Sequence, residues 1–469
     1  MNLAAVLSDA DIERLEDAAE TLLAEVGFRV MHRGLLTALA KAGANVDEPN
    51  GTVRLPSALL HELIRTVPAS YTIRWGGGEA VIGGDHQHCN AIVTDPWIID
   101  YETRRPRRPC LEDVRRHSII AQRLERVVST GRMDFPVTDI ADATSSLRAL
   151  ETHLLHYAKH YAVYVTSLES FDQWLDIAAI IRDGNGLDPG DFMSAAIAVL
   201  SPLTLTEMNG DLLERTCAHG MAVIPTICPM AGTTSPYTLA ATLVQGHAEN
   251  LFVAALTQIV RPGNPFLYAF GPSVTDLRSG RDRYYTLDKV LWKAASVQLA
   301  RACAFPVAAE CGGSMTYRYD QQSGAEGMLF MLAAQASNAN LLCGIGSCHN
   351  AIGMSGEMMI VQTEWLAAAE FLGRGIPIHD SRLGLDSLRN AGPGGHFLTD
   401  DLTLDGMHEG EFFSSALLDL VGGEDSPSLL DRAHDEVEAL VADAESPLPG
   451  DVQENLRRYF HDEYDRLLR

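Results

Sequence analysis

Carboxylates, one histidine and a set of aromatic rings in this sequence stand where short apolar runs end. Asp134 and Phe135 follow the run 126–132, and Tyr268 and Phe270 lie in the run 266–271. Glu310 and Cys311 close the run 306–312, and His349 and Asn350 follow the run 341–347. Tyr317, Arg318 and Tyr319 occupy the glycine-rich stretch after Glu310. This inventory is rich in aromatics and acids and poor in Lys and Arg, with 279–283 as the nearest basic cluster. A phosphate pocket would want more cations or a helix N-terminus aimed at it. Aromatics with acids suit an organic cation, through cation–π attraction and charge pairing. A carboxylate at the end of an apolar strand is costly unless it is used or paired, which points to Glu310 as a site residue. His349 has helix capping as its competing role, and Tyr268 and Phe270 have core packing. The sequence holds no G-x-S-x-G elbow and no H-E-x-x-H, so the nucleophile is expected to come from another molecule. His86, His88 and Cys89 place three ligand types in four residues, but no second cluster completes a site, so a surface loop and no bound metal are expected.

These residues need elements to position them. From about residue 125, β-rich runs alternate with helical patterns. The strand candidates are 126–132, 162–167, 194–201, 223–230, 266–271, 306–312, 341–347 and, with the least β character, 376–380. Helical periodicity fills 145–159, 171–182, 206–218, 237–260, 286–302, 324–337 and 356–372. Strand–helix alternation means parallel pairing, and eight units over roughly 250 residues match a TIM barrel, whose active site forms at the C-terminal ends of the strands. Before it, 9–26 reads as an amphipathic helix capped by Ser8, 32–43 as a second helix, and 52–105 as an antiparallel β element. Beyond it, 426–469 reads as two charged amphipathic helices split by the turn SPLPGD. The expected division is an N-terminal extension over 1–124, a (β/α)8 barrel over 125–425 and C-terminal helices over 426–469.

Bulk properties exclude several classes. The chain has 469 residues and a formal net charge of −26, a field that disfavours nucleic acid and anionic membranes. Mean hydropathy is −0.01, and no run approaches the ~18 apolar residues of a spanning helix. No basic n-region opens the chain, and none of the eight cysteines forms a C-x-x-C pair, so reduced thiols in a cytoplasmic protein are expected.

Several segments resemble the trimethylamine methyltransferase family, whose superfamily includes glycine betaine methyltransferase. They are DPWIIDYETRRPRRPCLEDV (95–114), SPL (201–203), PMAGTTSP (229–236), the H-A-E helix (247–249), R-P-G-x-P (261–265), QQSGAEG (321–327) and GIGSCHNAIGMSGEMMIVQTEW (344–365). The resemblance implies a TIM barrel and transfer of a methyl group to the Co(I) of a corrinoid (cobalamin) cofactor carried by a partner protein. It also implies a small methylated amine as donor, and such barrels commonly self-associate. The trimethylamine enzymes of methanogens carry pyrrolysine in the loop after the sixth strand. Here that loop, GGSMTYRYDQQSGAEG (312–327), holds ordinary residues. A quaternary ammonium leaves as a neutral tertiary amine and needs water stripped and a clear line to the nucleophile, not covalent activation. The expected donor is therefore quaternary and betaine-like. On this reading Glu310 and His349 are catalytic. Asp134, Phe135, Tyr268, Phe270, Tyr317, Arg318, Tyr319 and Asn350 bind substrate, with the two loop tyrosines as a cage wall and Arg318 as carboxylate partner. The MTYRY stretch departs from the S-K-x-x-D-like loop expected in the family. The alternatives are the same fold with a different methyl donor, or a non-catalytic quaternary-amine sensor.

Overall fold

In the computed structural model, which describes residues 3–132 and 136–469, the chain folds as a TIM barrel. The barrel strands are β1 (His88–Ile92), β2 (Val127–Arg132), β3 (His160–Val163), β4 (Met193–Val199), β5 (Ala222–Ile227), β6 (Ala308–Glu310) and β7 (Leu341–Ile345). Every neighbouring pair along the sheet is parallel. The ring closes between β5 and β6 through residues 266–268. Val223 bridges to Phe266, and Tyr268 bridges to Val307. Each stave is followed by a helix: α1 (Leu111–Arg123), α2 (Ser145–His156), α3 (Leu168–Asn185), α4 (Glu207–Ala218), α5 (Leu239–Val260), α6 (Asp288–Ala302), α7 (Gln321–Ala336) and α8 (Gly356–Arg374). Buried aliphatics such as Val163, Ile197, Val223 and Leu342 pack the sheet against this helical shell.

Two strand assignments differ from expectation. The segment 376–380 is not a strand: Ile376 and Ile378 lie 83% and 74% exposed in irregular chain. The eighth stave is β1, from the block expected to form an antiparallel element before the barrel. It pairs in parallel with β2 on one side and β7 on the other. His88 and Asn90 disguise it, because a strand with polar side chains on its inner face lacks a continuous apolar run. Asn90 is buried and donates to Ser129 Oγ of β2 (3.1 Å). A chain begun at residue 125 therefore lacks a stave. It is expected to show no cooperative thermal transition and no near-ultraviolet circular dichroism, both measurable on the purified fragment.

The flanking elements follow the periodicity. The first helix, Asp9–Thr21, starts at a Ser8 capping box: Asp11 N–H donates to Ser8 Oγ (3.2 Å) and Ser8 N–H to Asp11 Oδ2 (3.1 Å). It lies against α5 and α6. A hairpin of Ser70–Trp75 and Gly78–Gly83 packs its apolar side against residues of β2, β3 and β5. The C-terminal helices are Leu429–Val441, on α1 and α8, and Gly450–Leu468, on α2 and α3. All eight cysteines are unpaired. Among the described residues no helix is long and apolar enough to cross a membrane.

Candidate active site

The inner side chains of the staves leave a cavity of about 250 Å³, slightly under the ~300–1,000 Å³ of common ligand sites. Its wall is mostly apolar, with Ile92, Ala162, Ile224, Leu267, Ala269 and Leu341, and with the rings of Tyr164, Tyr284 and Tyr285. Three ionisable side chains, two carboxyls and one amine, interrupt this lining: Glu310 at the end of β6, Lys293 of α6, and Asp95 just beyond β1.

Glu310 is the hub. Tyr284 Oη donates to its Oε1 (2.5 Å), Lys289 Nζ lies 3.3 Å from the same oxygen, and Lys293 Nζ pairs with Oε2. Lys293 also donates to the carbonyl of Phe270. The two lysines stand four residues apart on one face of α6, which places both ammonium groups at one spot. Both are buried, and Lys289 lies over the Tyr284 ring. Burial pushes both lysine pKa values far below the ordinary range, and for Lys293 the neighbouring charge of Lys289 adds to this. Glu310 thus contacts both basic groups, and the charge of Asp282 also acts on Lys289. Gly271 leaves room for the contact, since a Cβ there would meet Tyr284 Oη at 2.9 Å.

Asp95 is the opposite case. No ion pair joins it to another described residue, and burial pushes its carboxyl up to about 8. Tyr285 and the thiol of Cys348 are among the titratable groups that feel its charge. Burial of Asp95 favours its neutral form at pH 7.

The tyrosines are held from behind. His349, Asn350 and Ala351 take three consecutive left-handed conformations (φ 49°, 58° and 62°), each costing roughly 1–3 kcal/mol outside glycine. That turn aims Asn350 at the strand-like segment before α6. Its Oδ1 accepts from Tyr284 N–H (2.7 Å), and its Nδ2 donates to the Asp282 carbonyl (2.9 Å). Tyr285 Oη donates to Ser347 Oγ (3.1 Å).

Of the residues expected at the site, Glu310 lines the cavity, and Phe270 borders it with its ring packed on Gly246 of α5. Asn350 supports it through Tyr284. The others point elsewhere. Tyr268 is fully buried outside the ring of strands, against His247 of α5. Tyr319 donates to Ser355 Oγ at the start of α8 (2.8 Å), anchoring the loop. Tyr317 packs edge-on against His349, with ring centroids 5.3 Å apart, and Arg318 is exposed. Burial lowers the pKa of His349, which keeps it neutral. Asp134 and Phe135 lie outside the described residues. The inventory of strand ends missed Lys289, Lys293, Tyr284 and Tyr285. They come from α6 and the segment before it, and their only signal is a lysine pair at i, i+4 in the apolar helix DKVLWKAASVQLARA.

Known proteins share this architecture. The model of the trimethylamine methyltransferase (MTTB) family matches residues 1–465. The chain is 27% identical over 419 residues to the glycine betaine methyltransferase of Desulfitobacterium hafniense (strain Y51), covering 88% of this chain and 86% of that protein. It is 24% identical over 453 residues to the proline betaine:corrinoid methyltransferase of Eubacterium limosum, covering 93% of each. The fold is shared with the crystal structure of the Methanosarcina barkeri monomethylamine methyltransferase, with a TM-score of 0.51 at 12% identity, covering 98% of this chain and 88% of that one. With its whole barrel and both flanking regions matched, the chain belongs to the trimethylamine methyltransferase family.

Proposed function

We propose that this protein transfers a methyl group from a small betaine, a quaternary ammonium carrying its own carboxylate, to a corrinoid presented by a partner protein. The observation that carries the reading is Lys293 in the cavity wall, a buried base beside Glu310 with Lys289 behind it. A simple methylammonium would meet lysines there. A betaine carboxylate is a partner for Lys293 and draws it to its charged form. Its ammonium end then belongs near Asp95, the one cavity acid without an ion pair among the described residues, with the tyrosine rings and aliphatics around the methyl groups.

The cavity is sized for such a molecule and not for a corrin macrocycle, so the residues fit a cofactor brought to the mouth and not one held inside. When bound there, the corrinoid supplies the nucleophile as Co(I). This chain binds the donor, fixes its orientation and strips its water. The C–N electron pair stays with nitrogen, which leaves as a neutral tertiary amine, so no side chain has to deliver a proton. Glu310 and Asn350 act by holding Lys289, Lys293 and Tyr284 in place.

The test is an anaerobic assay with reduced corrinoid protein, following the corrinoid absorbance with glycine betaine, proline betaine, carnitine, choline and trimethylamine offered separately. Demethylation of a carboxylate-bearing donor, with none of choline or trimethylamine, is the expected result. Equal use of choline would remove the lysine pair from substrate recognition.

A further inference from the structure

A second cluster of ligand-type side chains lies outside the barrel, where the N-terminal helix meets the shell. Glu16 comes from helix Asp9–Thr21, His247 from the middle of α5, and Cys303 from the residue that caps α6. One donor atom from each lies within 4.8 Å of the other two, and Cys303 Sγ is 4.0 Å from Glu16 Oε1. His247 is fully buried, and its Nε2 has no hydrogen-bond partner. An apolar helix face has no use for an unsatisfied imidazole nitrogen. Its other nitrogen, Nδ1, lies 3.2 Å from Tyr268 Oη. In the tautomer that donates Nδ1–H to that oxygen, Nε2 keeps a free lone pair.

We propose that Glu16, His247 and Cys303 form a binding site for a divalent metal of the zinc type, which staples the N-terminal helix to α5 and α6. The donor set of carboxylate, imidazole and thiolate is that of borderline-soft cations, and excludes magnesium and calcium as preferred occupants. A bound zinc would draw the three donors in to ~2.0–2.3 Å from the ion. The site opens onto a recess of about 490 Å³, where water has room to complete a tetrahedron. The electrostatics agree. Burial pushes the Cys303 thiol up to about 12 and the His247 imidazole down to about 4, and Glu16 is raised by burial and by Glu20. A dication relieves the acid repulsion and supplies what the thiolate lacks, while the imidazole is already in the neutral form a metal needs. Tyr268 and the H-A-E motif thereby gain a role that the cavity does not give them: His247 as ligand, with Tyr268 fixing its tautomer.

The probe is the metal alone. Full-length protein is stripped with chelator, reloaded with Zn²⁺ or Co²⁺, and its metal content measured. One equivalent per chain is expected, and the Co²⁺ form should show a near-ultraviolet thiolate charge-transfer band. Cys303→Ser should abolish that band while Cys110→Ser, at a half-buried thiol outside the cluster, keeps it. Tyr268→Phe should weaken Zn²⁺ binding by roughly 10–100-fold, the usual cost of losing an outer partner of a metal-bound histidine. Folded wild-type protein that holds no zinc at micromolar metal, or a charge-transfer band that survives Cys303→Ser, overturns the assignment.

Discussion

With both Lys289 and Lys293 replaced by methionine, the protein is expected to lose about 3–5 kcal/mol of stability, the usual result of stranding one member of a buried charge cluster. Glu310 would then be a carboxylate with 15% of its side chain exposed and only the Tyr284 hydroxyl for company. Adding Glu310→Met to the same chain should return most of that loss, because a cluster replaced as a whole by apolar side chains of similar volume is often neutral or stabilising. Urea unfolding of wild type, double and triple variants separates the cases. Both variants should bind glycine betaine by calorimetry at least about 100-fold more weakly, since the anion's partners are gone in each. A triple variant as unstable as the double would mean that the lysines act through packing and not through their charge balance with Glu310.

Asp95→Asn is expected to act in opposite directions on stability and function. A carboxyl whose pKa rises from 3.8 to about 8 on folding must be kept protonated in the native state. The sign follows: the folded form carries no penalty below about pH 4, and the penalty grows by ~1.4 kcal/mol per pH unit until the folded pKa is reached. At pH 7 removing the acid should therefore stabilise the fold by something on the order of 4 kcal/mol, with no gain at pH 4. Unfolding curves at pH 4, 6 and 8 check this. The same residue makes binding pH-dependent. A quaternary ammonium carries fixed charge, so wild-type affinity for glycine betaine should climb as pH rises towards 8 and then level. In Asp95→Asn the climb should vanish. A wild-type profile flat from pH 6 to 9 would remove Asp95 as the ammonium's counter-ion.

Periodicity made most of the barrel legible, and its misses have physical causes. The runs at 223–230 and 341–347 overlap β5 and β7 because staves buried on both faces are largely apolar, and 126–132 covers β2 on its Val127–Val128 start. β1 breaks that rule with His88 and Asn90, and 376–380 imitates it with exposed isoleucines. Within the 266–271 run the alternation was readable but its phase was not. Leu267 and Ala269 face the cavity and Tyr268 faces α5, and a shift of one residue exchanges those faces. The site was partly hidden for a similar reason. Glu310 stood out as an acid after an apolar strand, whereas Lys289 and Lys293 sit on a helix, where a lysine pair at i, i+4 ordinarily means a solvated surface. Only the packing of α6 over the end of β6 turns that pair inward.

The position of β1 has a consequence for the chain as it is made. Its partner β7 ends at residue 345, while β1 itself is finished at residue 92. At a ribosomal pace of ~5–20 residues per second, the β7-facing edge of β1 waits roughly 12–50 seconds for its neighbour to emerge. During that interval the nascent protein displays an open sheet edge, and barrel closure is an event of late synthesis. Pausing of translation between these points lengthens the exposure, so the yield of soluble protein becomes sensitive to codon choice in the interior of the gene and not near its start.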